Sequence, residues 1–213
     1  MKVKIIVPET LADLKLSQYQ EFIKNTKDIE DDNYVKRQLV SIFLNIPIEK
    51  VNHISKKDYD GLVVLLSNLL AQKPELKTTI KHDGVNYGFI PNLEDITVGE
   101  QADIDAYIND VNKWDQMMAI MYRPIKMRKS NKYLIEDYTA KEPPLDLPLD
   151  VVFGAVFFFT NLLTDLLNCT QNFIKEQVDN DKSLQTLVES GVGIKTFTHS
   201  LEETFLKLTM SLN

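Results

Sequence analysis

Glycine is scarce in this chain, with 7 in 213 residues. So few glycines leave no Gly-rich loop to cradle a phosphate and few turns that need left-handed backbone, which favours helices. There is 1 cysteine, Cys169, so no intramolecular disulfide can form. The 3 histidines, His53, His82 and His199, lie far apart and make no zinc-ligand spacing with it. No G-x-S-x-G elbow is present, and nothing in sequence order links a histidine to a nucleophile. Long apolar runs are missing too. The longest, Val151 to Phe159, contains Gly154 and is soon followed by Asn161 and Asp165. It falls well short of the ~20 residues that a membrane span needs. The opening MKVKIIVPET has only Ile5 to Val7 as an apolar run, too short for a signal-peptide core. These absences point to a reducing cytoplasm, with no membrane partner and no metal or cofactor.

What is present is ordinary for a globular chain: 44% hydrophobic and 26% charged residues. That excludes disorder as the default state and suffices for one good core. Acids exceed bases, 31 to 24, for a net charge of -7. An acidic balance argues against general nucleic-acid binding, which needs a basic face.

Periodicity sets out the elements. Lys2 to Val7 alternates as a short strand ended by Pro8. Ser17, with Gln20 three residues on, reads as the cap of a helix whose face is Tyr19, Phe22 and Ile23. After the acidic connection 28–33, Val35, Leu39, Ile42, Phe43 and Ile46 give a second helix, interrupted by Pro47. Pro47 to His53 suits a short helix. Ser55 opens a clear one through Leu62, Val63, Leu65, Leu66, Leu69 and Leu70, stopped by Lys73-Pro74. At Thr78 the texture turns β-prone. Asp83-Gly84, between Thr79-Ile80 and Val85 to Ile90, is the strongest hairpin signal in the chain. Thr97 and Glu100 form a capping box for the next helix, and another carries Trp114. Tyr122 to Lys126 and Tyr133 to Tyr138 predict a second hairpin with its tip at Met127 to Lys132. A proline-rich loop, 142–148, leads into the longest helix, Leu149 to Val178, apolar on more than one face. Helices over Ser183 to Ser190 and Ile194 to Leu212 are expected to finish the chain.

Four groups of residues bear on chemistry. Glu94, Asp95 and Glu100 could assemble an acidic site, but acids at a helix start also serve as caps. Asp103, Asp105, Asp110 and Asp115 lack the glycine and spacing of a calcium loop and read as a solvated helix face. Arg123, Lys126, Arg128, Lys129 and Lys132, flanked by Tyr122 and Tyr133, make a basic hairpin tip. It could touch phosphates or an acidic protein surface. Trp114, Met117, Met118 and Met121, continuing into Tyr122 and Arg123, form an adaptable apolar cluster. If exposed, it would dock a partner; otherwise it belongs to the core.

The run Tyr87 to Glu100 (YGFIPNLEDITVGE), then Trp114 and Met118 to Ile125 (MAIMYRPI), then Tyr133 to Tyr138 (YLIEDY), resembles virion and assembly proteins of tailed bacteriophages. The group in question is the tail assembly chaperone-like proteins of phages of gut bacteria, and the likeness covers about 87–167. It implies a non-enzymatic role in building a virion and carries no catalytic residues. Its partners would be other phage structural proteins or further copies of the chain. Its place would be the host cytoplasm during assembly, or the virion itself.

The expected fold is α+β and mainly helical, with two small β-hairpins between an N-terminal helical cluster and a long C-terminal helix. One domain, 1–213, is expected, divisible into a helical cluster at 1–76 and hairpins plus C-terminal helices at 77–213. The expected function is phage assembly through protein–protein contacts. Two alternatives stand beside it. One is a nucleic-acid-contacting accessory protein using the tip 123–132; the other is an enzyme with a spatially assembled acidic site.

Overall fold

The computed structural model describes residues 6–130, 132–139 and 143–178, and side chains of the last helix up to residue 162 and at 164. Within these residues the chain is α+β and mainly helical. The N-terminal helices are α1 (Leu16–Thr26), α2 (Asp32–Phe43), the single turn α3 (Ile48–Val51) and α4 (Lys56–Leu70). Strands β1 (Thr79–His82) and β2 (Val85–Phe89) follow, then α5 (Val98–Tyr107) and α6 (Trp114–Met121). Strands β3 (Tyr122–Lys129) and β4 (Lys132–Ile135) precede α7 (Leu149–Val178). The helices predicted at 183–190 and 194–212 lie outside the described residues.

Local chemistry accounts for most helix starts. Asp31 accepts from the Asn33 and Tyr34 amides, at 2.9 and 3.2 Å, to open α2. Ser55 accepts from the Asp58 amide at 3.2 Å to open α4. Thr97 and Glu100 form the expected reciprocal box at α5. α1 differs from expectation. Its cap is Lys15, two residues before Ser17, and Gln18 Oε1 accepts from the Lys15 amide at 3.0 Å. Ser17 instead donates its amide and hydroxyl to Asp146, at 2.8 and 2.9 Å. Gln20, expected to close the box, reaches across to the Val111 carbonyl at 2.9 Å. A partner 129 residues away in sequence outcompetes the local cap. The predicted strand Lys2 to Val7 does not extend to its end: Ile6 and Val7 are not in a strand, and the rest of it lies outside the described residues.

The two hairpins form one antiparallel sheet in the order β1-β2-β3-β4. Asp83 (φ 46°) and Gly84 (φ 83°) make the tight turn between β1 and β2, a conformation in which glycine pays no steric penalty. β2 pairs with β3 through Tyr87–Pro124, Gly88–Arg123 and Phe89–Tyr122. β3 and β4 pair out to Lys129–Lys132, so the tip is only residues 130–131, shorter than predicted. β4 ends at Ile135, not at Tyr138. Pro124 is tolerated in an inner strand because the ladder to β4 breaks there. A bulge separates Ile125 from Met127, and the Pro124 carbonyl accepts from the Glu136 amide at 2.9 Å.

One core joins residues from both sides of position 76. The start of α7 is its centre: Leu149, Val152, Phe153, Ala155 and Val156 have no exposed surface. Phe153 meets Tyr19 of α1 edge-on at 5.2 Å, and Phe158 and Phe159 meet Phe89 of β2 at 5.7 and 5.9 Å. The stretch before α7 is clamped to α1. Leu16 donates to the Leu147 carbonyl at 3.0 Å, and Leu149 to the Leu14 carbonyl at 2.8 Å. α7 can pass the backbone at 75–76 only because residue 154 is glycine, since a Cβ there would lie 2.5 Å from the Glu75 carbonyl oxygen. Among the described residues no helix is long and apolar enough to cross a membrane.

Candidate docking hairpin

The apolar cluster is core. Trp114, Met117, Met118, Met121 and Tyr122 are at most 1% exposed. Trp114 stacks on Tyr19 at 6.0 Å and donates its indole N–H to the Ile108 carbonyl at 3.0 Å. Tyr122 donates its hydroxyl to the Lys77 carbonyl at 2.8 Å, and burial pushes its phenol pKa up. Arg123, the last of the candidate docking residues, is also buried. None of the six offers a surface to a partner in this fold. The physical reason is that α6 runs straight into β3, so both faces of this segment are covered, by α1 and α5 on the helix side and by β2 on the strand side.

Arg123 also leaves the basic tip. Its Nη2 lies 2.6 Å from Glu100 Oε1, and both side chains are less than 8% exposed. The other carboxylate oxygen of Glu100 accepts from the Thr97 amide and hydroxyl, each at 2.7 Å. Arg123 Nε has no hydrogen-bond partner among the described residues. A buried pair held this way is expensive to break and ties the start of α5 to the root of β3. Glu94 and Asp95, grouped with Glu100 in the sequence, stay on the surface. Asn92 bonds Asp95 Oδ2 at 2.7 Å, and the Asn92 side chain caps the short turn at 93–95. The three acids therefore do not converge, and among the described residues no group of three His, Cys, Asp or Glu could hold a metal ion.

The other acids have structural partners. Asp103 accepts from the Tyr138 hydroxyl, which raises that phenol to about 12. Asp110 caps the turn at 111–113, and Asp115 accepts from Gln20 at 3.3 Å. Asp105 is exposed. His53 is exposed, and His82 sits beside Tyr87 and 3.4 Å from Asp83. The side chains of Cys169 and His199 lie outside those described.

What remains at the surface is the outer half of the β3–β4 hairpin. Lys126 pairs with Asp137 at 2.8 Å and holds that carboxyl below its usual range. Arg128, Lys129 and Lys132 are exposed and make no ion pair with a described acid. Between them the cross-strand neighbours Met127 and Leu134 are 62% and 60% exposed. The root is firmly anchored. The Tyr133 ring lies across Gly88, where a Cβ would come within 2.4 Å of it. Its hydroxyl sits 2.9 Å from the Thr78 carbonyl and 2.8 Å from that of Phe89. Sequence reasoning located the basic residues but missed the apolar pair. The signal was Lys132-Tyr-Leu134-Ile-Glu136, whose period of two places Leu134 on one face with Lys132 and Glu136.

Comparison with family models, with curated proteins and with solved structures finds no match to this chain.

Proposed function

We propose that this chain is a non-enzymatic bacteriophage structural or assembly protein that works through protein–protein contacts made by the β3–β4 hairpin. The observation that carries this reading is the exposed pair Met127 and Leu134, set among Arg128, Lys129 and Lys132 on a hairpin locked at its root by Tyr133. Exposed apolar side chains bordered by Lys129 and Lys132 on one side and by Glu136 on the other, on an anchored hairpin, suit a protein partner with an apolar centre and a mainly acidic rim. The resemblance of 87–167 to tail assembly proteins supplies the setting: the host cytoplasm during assembly, or the virion. The test is co-expression with the products of neighbouring virion genes, followed by affinity capture. Binding is expected, and Arg128→Glu/Lys129→Glu should abolish it. A chain that ignores every product of its own gene cluster sinks the proposal.

A second reading, contact with nucleic acid, draws on the same three cations, none of which has an acidic partner among the described residues. It requires binding that weakens steeply with salt and disappears in the same double variant. Absence of binding at low salt ends it.

A further inference from the structure

β4 is an edge strand: among the described residues nothing pairs along its outer side. The direction of each of its backbone groups follows from the ladder. Lys129 and Lys132 flank the two-residue tip as a pair, and the Glu136 amide points inward to Pro124. Backbone groups alternate along an antiparallel strand, so residues 132, 134 and 136 face β3. Tyr133 and Ile135 therefore direct their N–H and C=O groups outward, away from the sheet.

Edges of this kind recruit strands, and proteins usually blunt them with charged side chains, lysine above all. Here the charges are of opposite sign and sit symmetrically about Leu134. We propose that the outer edge of β4 pairs antiparallel with the same edge of a second copy, about a two-fold axis at Leu134. In that register Tyr133 of each chain faces Ile135 of the other, so all four outward N–H groups and their carbonyl partners are satisfied. Leu134 meets Leu134 at the axis in a non-hydrogen-bonded site, where side chains approach most closely. Met127, the cross-strand neighbour of Leu134, extends this apolar contact on both sides. Lys132 of each chain lies opposite Glu136 of the other, on the same face as the leucines. Shifting the register by two residues either way moves Leu134 off the axis and leaves one outward residue of each chain without its mate. The charge pattern, the apolar residue and the backbone phase thus select one register. The occupant is a second copy because a single five-residue segment is complementary to itself. The pairing is isologous and closes as a dimer with one continuous eight-stranded sheet.

The dimer is independent of the phage reading, and partner capture tests that reading separately. The experiment is sedimentation velocity on the full chain across concentration, with amide hydrogen exchange. An edge this short buries little surface, so association should be weak and rise with concentration, with roughly half the chain dimeric by about 1 mM. The expected species is a dimer of the 24.5 kDa chain, with exchange at Tyr133 and Ile135 slowing as it forms. Lys132→Glu and Glu136→Lys should each weaken it roughly tenfold or more, since the axis repeats each like-charge contact. The double swap Lys132→Glu/Glu136→Lys should restore it. Within one chain these exposed residues are about 13 Å apart along the strand, so the swap leaves the monomer intact. Leu134→Lys should give a folded monomer. A wild-type monomer at every concentration overturns the proposal, as does a dimer indifferent to Leu134→Lys, or single reversals that the swap does not rescue. Protection of Tyr133 and Ile135 that arises only on adding a different protein would also overturn it, by giving the edge to that protein.

Discussion

Two helical glycines should respond to the same substitution with opposite sign. Gly61 lies on the exposed side of α4, and a Cβ there would meet nothing within 4 Å. Gly61→Ala therefore gains the helix propensity of alanine, a stabilisation of about 0.5–1 kcal/mol. Gly154 has the same intrinsic gain available in α7. There, however, a Cβ would lie 2.5 Å from the Glu75 oxygen, 3.0 Å from its carbonyl carbon and 3.4 Å from Leu76 Cα. These are backbone atoms and cannot rotate away, so α7 or the segment 75–76 must shift by nearly an ångström. The helix cannot yield easily, because Val152, Phe153 and Ala155 beside it are fully buried. Overpacking of this kind costs about 1–3 kcal/mol, and a backbone clash belongs at the upper end. Less the propensity gain of about 1 kcal/mol, Gly154→Ala should lose about 2 kcal/mol. Urea unfolding followed by far-ultraviolet circular dichroism and by the fluorescence of Trp114, the only tryptophan, reads both variants. Coincident transitions are needed for the difference to count. A Gly154→Ala protein as stable as the parent would show that propensity outweighs the close approach, and would refute the argument.

Other substitutions probe the remaining buried and local contacts. Arg123→Met or Glu100→Leu alone should cost about 3–5 kcal/mol, since each strands a buried charge, while the double variant should recover a large part of the loss. Additive losses in the urea cycle would rule out coupling. Ser55→Ala removes the α4 cap and should cost about 1 kcal/mol in the same assay, with no change in m-value. Tyr138 should ionise near 12, because its hydroxyl donates to Asp103. Its pKa is raised on folding, so its contribution is fully present below the ordinary tyrosine value of 10.0 and is lost as pH climbs through 12. Asp103→Asn should move this phenol back toward 10.0 in an ultraviolet titration, and an unmoved pKa would show that the hydrogen bond is not its cause.

Interactions that span a few residues were determined by the sequence alone. The Ser55 cap, the Thr97–Glu100 box and the Asp83-Gly84 turn each depend on groups within three positions of one another. The start of α7 at Leu149 follows from Pro148 before it and the apolar pattern that begins there. Tertiary structure decided whatever depends on distant partners. Ser17 is a sound cap by its neighbours, yet Asp146 claims it across the fold. The two hairpins are each legible, but their union into one sheet needs β2 and β3 to meet across α5 and α6. The packing of α1 and α5 on α6 buries Trp114 and the methionines, which local pattern alone could equally have placed on the surface. The contact between α5 and the root of β3 also splits a run of like charges. Arg123 turns inward to Glu100, while Arg128, Lys129 and Lys132 stay out with Met127 and Leu134. Whether a side chain faces core or solvent depends on which surface covers it, and that surface is assembled from parts of the chain that sequence order keeps far apart.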